Sequence, residues 1–298
     1  MNTAAISYNN LPLAAVLRQV LGLFKLRIGV AIAFAALAGL AVSPGPSLPA
    51  WKIALLGLAV LLSSASAGAF NQYIESDVDA RMKRTRKRAF VTGALPHTRA
   101  WLWLILMLVT GSAAAAWWAL NPWAALYTFL GAFFYAVVYT VWLKRRTWLN
   151  IVVGGLAGSF AVLAGAAAVD PAIGAVPMLL ALVLFLWTPP HFWSLAIAYH
   201  SDYEAAKIPM LPVVAGDARA AWVILLHTVL LVAVSLAPVF LGLGRIYLAG
   251  AMIGGGWFLV TSWRLVRNPG PKAAMRNFHA SLGQLTLLLL AAILDAAV

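Results

Sequence analysis

Long apolar runs separated by short polar ones organise this chain. Runs able to cross about 30 Å of hydrocarbon fall near residues 28–45, 51–70, 99–120, 122–142, 149–168, 172–198, 218–241, 244–264 and 278–297, which predicts nine helical spans. The connections alternate in charge. Those before the first span and after the second, fourth, sixth and eighth carry Arg18, Lys25, Arg27, the basic run 81–99, Lys144, Arg145, Arg146, Lys207, Arg219, Arg264, Arg267, Lys272 and Arg276. The opposite connections carry little beyond Lys52 and Arg245. This bias places the N-terminus in the cytoplasm and the C-terminus outside. Ahead of the first span, residues 11–26 repeat apolar positions at helical spacing around Arg18 and Lys25. Either a surface-lying amphipathic helix or a simple lead-in fits that pattern. The expected organisation is a cytoplasmic N-terminal segment, 1–27, and an all-α polytopic membrane domain, 28–298, with two long polar cytoplasmic connections at 71–98 and 199–217.

Composition narrows this further. Of 298 residues, 63% are hydrophobic, and the mean hydropathy is +0.91, which excludes a soluble globular domain. Cysteine is absent, so disulfides, thiolate metal sites and cysteine nucleophiles are excluded. Residues 1–12 lack the basic-then-apolar arrangement of a cleavable signal, and no Arg- and Ser-rich transit sequence is present, so a bacterial inner membrane is expected. The net charge of +13 follows from the topological bias. Because the basic residues are split among separate cytoplasmic connections, no nucleic-acid partner is expected.

One polar island breaks the apolar background. Glu75, Asp77 and Asp79 are three of the chain's eight acidic residues, and six basic residues follow Asp79 within ten positions. On a continuous helix Asn71, Glu75 and Asp79 share one face, with Asp77 pointing elsewhere. Carboxylates beside cations at a helix end suggest a metal-bridged anion, most naturally a diphosphate. Mg²⁺ takes a few carboxylates, phosphate oxygens and water. Asp202, in the second long connection, is the best candidate for a facing ligand, and Glu204 is a weaker one. Arg84, Arg88, Lys144 and Arg145 are the expected diphosphate binders. Neutralising a departing diphosphate lowers the barrier to breaking an allylic carbon–oxygen bond. Tyr139, Trp142, Phe192 and Trp193 are placed to stabilise an allylic cation through their ring faces.

The spacing Asn71-xxx-Glu75-xxx-Asp79, followed by Arg81-Met82-Lys83-Arg84-Thr85, resembles the UbiA-type intramembrane prenyltransferases. Four segments, in order, are similar to the haem-modifying branch of that family: Asn71 to Thr85, Tyr139 to Arg145, Trp187-Thr188-Pro189-Pro190-His191-Phe192-Trp193, and Asp202 to Val214. The resemblance implies a UbiA-like bundle with a lipid-accessible central cavity and Mg²⁺ held by Asn71, Glu75, Asp79 and Asp202. It adds Tyr139 and Lys207 to the diphosphate-binding set. It implies farnesyl diphosphate and haem B as substrates, attack by a haem vinyl group, capture of the porphyrin-side cation by water, and haem O as product. A haem A synthase or an oxidase assembly partner would follow. His191 and His200 are the candidate haem ligands. The chain departs from the family pattern where Glu75 stands for an Asp, where Ala206 stands for a second Asp, at Ala89-Phe90 and at Gly158 to Ala161.

Three other functions compete. A prenyltransferase for a phenolic acid or quinone precursor is opposed by the Pro-Pro-His segment and by Ala206. A secondary anion transporter would place its acidic groups near mid-membrane. A phosphotransferase acting on activated alcohols would need an Asp-Gly-xx-Ala-Arg pattern, which the chain lacks.

Overall fold

The computed structural model describes residues 12–298, so residues 1–11 of the expected N-terminal segment lie outside it. All regular structure among the described residues is helical. Eight helices are long and apolar enough to cross a membrane: α3 (Ala50–Ile74), α6 (Ala100–Ala119), α7 (Pro122–Leu143), α8 (Asn150–Val169), α9 (Ala175–Ala198), α12 (Asp217–Leu241), α13 (Arg245–Arg267) and α14 (Pro271–Asp295). Short helices lie between them: α4 (Ser76–Asp79), α5 (Ala89–Thr92), α10 (His200–Ala205) and α11 (Leu211–Ala215).

The first predicted span takes a different form. Helix α2 (Leu26–Ala41) has only 16 residues, and α1 (Leu13–Leu23) meets it at a 46° bend. Counted together, the bent pair brings the spans to nine. The bend sits at Lys25, whose φ of 47° and ψ of 44° are left-handed, a conformation that costs a non-glycine residue about 1–2 kcal/mol. Helix α1 is tied to the bundle at its C-terminal end. Its Leu23 is buried among Ala69, Tyr73, Phe90 and Leu95, and the Gln72 side chain donates to the Gly22 and Leu23 carbonyls at 3.1 and 2.9 Å.

Helices α2, α3, α7, α8, α9 and α14 form a closed ring, each packed on the next, with α14 returning to α2. Helix α6 packs outside α3 and α7, while α12 and α13 pack outside α9 and α14. Between membrane helices, close packing and interhelical hydrogen bonds replace the hydrophobic effect as the cohesive force. Both devices are present. A Cβ at Gly165 would sit 1.8 Å from the Ala36 carbonyl oxygen, and one at Gly39 would sit 2.2 Å from that of Val162, so α2 and α8 cross backbone to backbone. On the other side, Asn277 accepts from Thr261 at 2.7 Å and Ser262 at 3.0 Å and donates to Ser194 at 3.0 Å, tying α14, α13 and α9 together. At the end opposite the basic loops, Asp295 accepts from the backbone N–H groups of Gly244, Ile246 and Tyr247, which caps α13 with the carboxylate its N-terminus favours.

Candidate active site

The ring encloses a cavity of about 750 Å³ that runs from the basic end of the bundle into its middle. Its polar end carries Lys25, Asn71, Asp79, Arg84, Arg88, Tyr139 and Lys144. Its deeper walls are apolar and rich in small residues, among them Ala67, Gly131, Gly158 and Ala161.

A chain of charged hydrogen bonds builds the polar end. Asn71, near the end of α3, accepts from Lys25 Nζ at 2.8 Å through Oδ1. Its amide donates to Glu75 Oε2 at 2.6 Å and to Thr140 Oγ1 at 3.1 Å. Lys144 Nζ donates to the same Glu75 oxygen. Glu75 has no exposed surface, and its Oε1 is buried without a partner. Asp79 accepts from Arg88 at 2.6 Å. Asp202, from the second long connection, accepts from the Arg84 backbone N–H at 3.0 Å, so the two acidic connections meet here. The Arg84 guanidinium lies over the Tyr199 ring, 5.4 Å from its centre.

Helix α7 reaches this end by an unusual route. Over Phe134–Leu143 its backbone widens to i→i+5 hydrogen bonding, continued by Lys144 N–H to the Tyr139 carbonyl at 2.9 Å. Wide turns of this kind concentrate at functional sites. Here the widened turns carry Tyr135, Tyr139 and Thr140 against the cavity and the Asn71 amide. The Tyr135 and Tyr139 rings stack 5.6 Å apart, and Lys25 Nζ lies 3.3 Å from the Tyr135 hydroxyl.

The expected single stripe of Asn71, Glu75 and Asp79 is broken. Helix α3 ends at Ile74, Glu75 leaves helical geometry with φ −101° and ψ 16°, and α4 starts a new turn. Asp79 therefore pairs with Arg88 and faces the cavity, while Glu75 turns to Lys144 in the interior. Three expected contacts need correction. Arg145 lies outside the cavity and holds Asp77 in an exposed two-pronged pair at 2.7 and 3.0 Å, which keeps the Asp77 carboxyl below its ordinary range. Lys207 is exposed, carried outward where φ of 55° ends α10. His200 bonds to Asp217 at 2.7 Å, away from the cavity. Of the four aromatic candidates, Tyr139 and Phe192 line the cavity, Trp142 faces outward, and Trp193 is fully buried behind the wall.

His191 does line the cavity, on α9 one residue after Pro190. The two prolines leave α9 continuous rather than broken. The imidazole is stacked between Trp187 and Phe278, with ring centres 4.1 and 4.4 Å away. Its Nδ1 lies 2.7 Å from Ser281 Oγ, whose hydroxyl donates to the Phe278 carbonyl at 2.7 Å. With its proton so used, Ser281 accepts from His191 Nδ1–H. That tautomer, assigned from the hydrogen-bond network, leaves a lone pair on Nε2.

Among the described residues, no three Asp, Glu or His side chains converge into a cage. Mg²⁺ does not demand one, because it takes one or two carboxylates and completes its shell with substrate phosphates and water. Asn71 and Asp79 on the wall, with the unpartnered Glu75 oxygen behind them, suit that mode of binding. Lys25, Tyr135 and Ser281 were missed in the sequence. In the sequence Lys25 carries only the signals of a topological charge and of an amphipathic N-terminal segment, and the others carry none beyond an apolar helix face.

Comparison with known proteins places this geometry. Residues 32–288 match the UbiA prenyltransferase family. "Protoheme IX farnesyltransferase 2" of Paramagnetospirillum magneticum is 55% identical over 95% of this chain and 98% of its own length. A digeranylgeranylglyceryl phosphate synthase superposes with a TM-score of 0.77 at 17% identity, covering 95% of this chain and 99% of that one. A UbiA homolog from Archaeoglobus fulgidus bound to DMAPP and Mg²⁺ superposes with a TM-score of 0.67 at 19% identity, covering 92% of this chain and 99% of its own. With a ring of membrane helices around a cation-rich, carboxylate-bearing cavity and a family match over most of its length, the chain belongs to the UbiA prenyltransferase family.

Proposed function

We propose that this protein transfers the farnesyl group of farnesyl diphosphate to a vinyl group of haem B, with addition of water, to form haem O. One observation carries the proposal: a single cavity joins a cluster of cations and an Asp79 carboxylate at its polar end to an apolar interior bearing an imidazole with a free Nε2. The relative named protoheme IX farnesyltransferase 2 supports the choice of substrates, and the homolog bound to DMAPP and Mg²⁺ supports a metal-assisted prenyl transfer.

Lys25, Arg84, Arg88 and Lys144 draw the diphosphate to the polar end and neutralise charge as the allylic carbon–oxygen bond breaks. Asn71, Glu75 and Asp79 hold three of these cations in position and would hold Mg²⁺, with Asp202 fixing the Arg84 loop. Bound Mg²⁺ would add Lewis-acid neutralisation of the leaving group. The stacked Tyr135 and Tyr139 faces sit where the allylic cation forms. The apolar walls exclude water until the vinyl carbon attacks the farnesyl C1. Water then adds to the remaining porphyrin-side carbon and loses a proton. His191 Nε2 is placed to ligate the haem iron, with Ser281 fixing the tautomer. The basic end lies at the cytoplasmic face of a bacterial inner membrane, where the soluble diphosphate is released.

Purified protein incubated with farnesyl diphosphate, Mg²⁺ and haem B is expected to yield a porphyrin whose mass has gained one farnesyl group and one hydroxyl group. A prenylated phenolic acid in a parallel reaction, with no modified haem, would refute the acceptor assignment.

A further inference from the structure

We propose that the cavity measures isoprenoid length, stopping the chain after three units against a rigid floor. The inference rests on the prenyl-diphosphate reading above and adds the residues that set the substrate's size.

One face of α3 lines the cavity from top to bottom: Asn71, Gly68, Ala67, Ser64, Ser63 and Val60. That stripe descends about 16 Å at 1.5 Å per residue. An isoprene unit spans about 5 Å across four carbon–carbon bonds of ordinary length, so three units need about 15 Å and four about 20 Å. The depth therefore matches a chain whose diphosphate sits beside Asn71 and whose last unit reaches Val60.

The cavity ends there for a structural reason. Val60 and Ala161 line its floor and also belong to a close-packed cluster with Ala36, Leu56, Ala124 and Ala164, all at most 4% exposed. Directly beneath, α2 and α8 cross with Gly39 on the Val162 carbonyl and Gly165 on that of Ala36. A side chain in a floor can rotate aside, but two touching backbones cannot. Above the floor, the small Gly131, Ala132, Ala157 and Gly158 leave room for the chain between the larger Ile28, Ile32 and Tyr127. The aromatic wall, with Trp187, His191 and Phe278 on α9 and α14, is left for the flat acceptor.

Binding can be read without any acceptor. Purified full-length protein with Mg²⁺ is titrated with geranyl, farnesyl and geranylgeranyl diphosphates. Burial of apolar surface alone would tighten binding with every added unit. A stop predicts the reverse at the fourth unit, with geranylgeranyl diphosphate about tenfold or more weaker than farnesyl. Ala161→Leu fills the end of the slot and is expected to weaken farnesyl binding by about tenfold while leaving geranyl binding unchanged. Val60→Ala deepens the slot and is expected to narrow the gap between geranylgeranyl and farnesyl; it decides the matter if Ala161→Leu does not fold. Equal or tighter binding of the four-unit chain by the wild type would overturn the proposal. So would a monodisperse Ala161→Leu protein that weakens all three ligands alike. If all three lengths bind with one affinity, length selection fails while the prenyl-diphosphate reading stands; if none binds, that reading fails too.

Discussion

The pair of Glu75 and Lys144 offers a sharp test of how this site is held. The two side chains are 0% and 12% exposed, and the carboxylate's second oxygen has no partner. Two unit charges about 3 Å apart attract by about 5–6 kcal/mol at an effective dielectric of about 20. Desolvation of both ions offsets much of that, so the intact pair contributes little net stability. Removing one member is a different matter, because it strands the other charge: Lys144→Met is expected to cost about 3–5 kcal/mol. For a chain of this size that corresponds to a fall of roughly 6–10 °C in melting temperature, at about 2 °C per kcal/mol. Glu75→Gln, which leaves a less buried ammonium beside a neutral amide, should cost less. The double variant Glu75→Gln/Lys144→Met removes both charges and should recover to within about 3 °C of wild type, yet remain inactive. The thirteen tryptophans give the readout through intrinsic fluorescence in detergent, with prenyl transfer measured in parallel. A Lys144→Met protein as stable as wild type, or a double variant no better than the worse single one, would refute the reasoning.

The exposed pair of Asp77 and Arg145 makes the contrast. Its bonds are short, but side-chain exposures of 51% and 44% put its worth below about 1 kcal/mol, so Asp77→Asn should shift melting by about 2 °C at most. Because Arg145 depresses the Asp77 pKa on folding, that small contribution is present above the unfolded value of about 3.9 and fades as pH falls through the folded value; Arg145→Ala should remove the acid-side dependence. Ser281→Ala lets the His191 proton move between ring nitrogens and should weaken haem binding, read as a changed Soret band, while His191→Ala should abolish the ligation signature altogether. Lys25→Met is expected to raise the KM for the prenyl diphosphate and weaken inorganic pyrophosphate binding by about tenfold or more, with Lys25→Arg recovering part of it. Asp79→Asn and Asp202→Asn should each abolish turnover while the protein remains extractable and folded; wild-type rates in both would remove these carboxylates from the site.

Much of the architecture was legible because each later span is an uninterrupted apolar run of ordinary membrane length. The first was not, since α2 alone is too short and the chain makes up length by turning at Lys25. Lys25 looked like one more interior-loop charge, and only its left-handed backbone brings the ammonium onto Asn71. The acidic positions stand out as a group in the sequence, but periodicity assumes an unbroken helix, and the break at Glu75 sends two carboxylates to different lysine and arginine partners. Asp202 was found by its charge. Its partner was not, because a backbone N–H at Arg84 carries no sequence signature. His200 and Lys207 failed for the complementary reason: proximity along the chain says nothing about which side of a short helix faces the cavity.

The widened turns of α7 have a genetic consequence. Because Tyr139, Thr140 and Lys144 reach their partners through the number of residues wound before them, their aim is stored in chain length as much as in side-chain identity. A conservative replacement among the apolar positions of Phe134–Leu143 leaves that angular phase alone. Deleting a single codon there swings everything downstream by roughly a quarter turn, turning the lysine away from the carboxylate. The apolar positions between Tyr135, Tyr139 and Thr140 should therefore drift in composition while the segment resists every change in count.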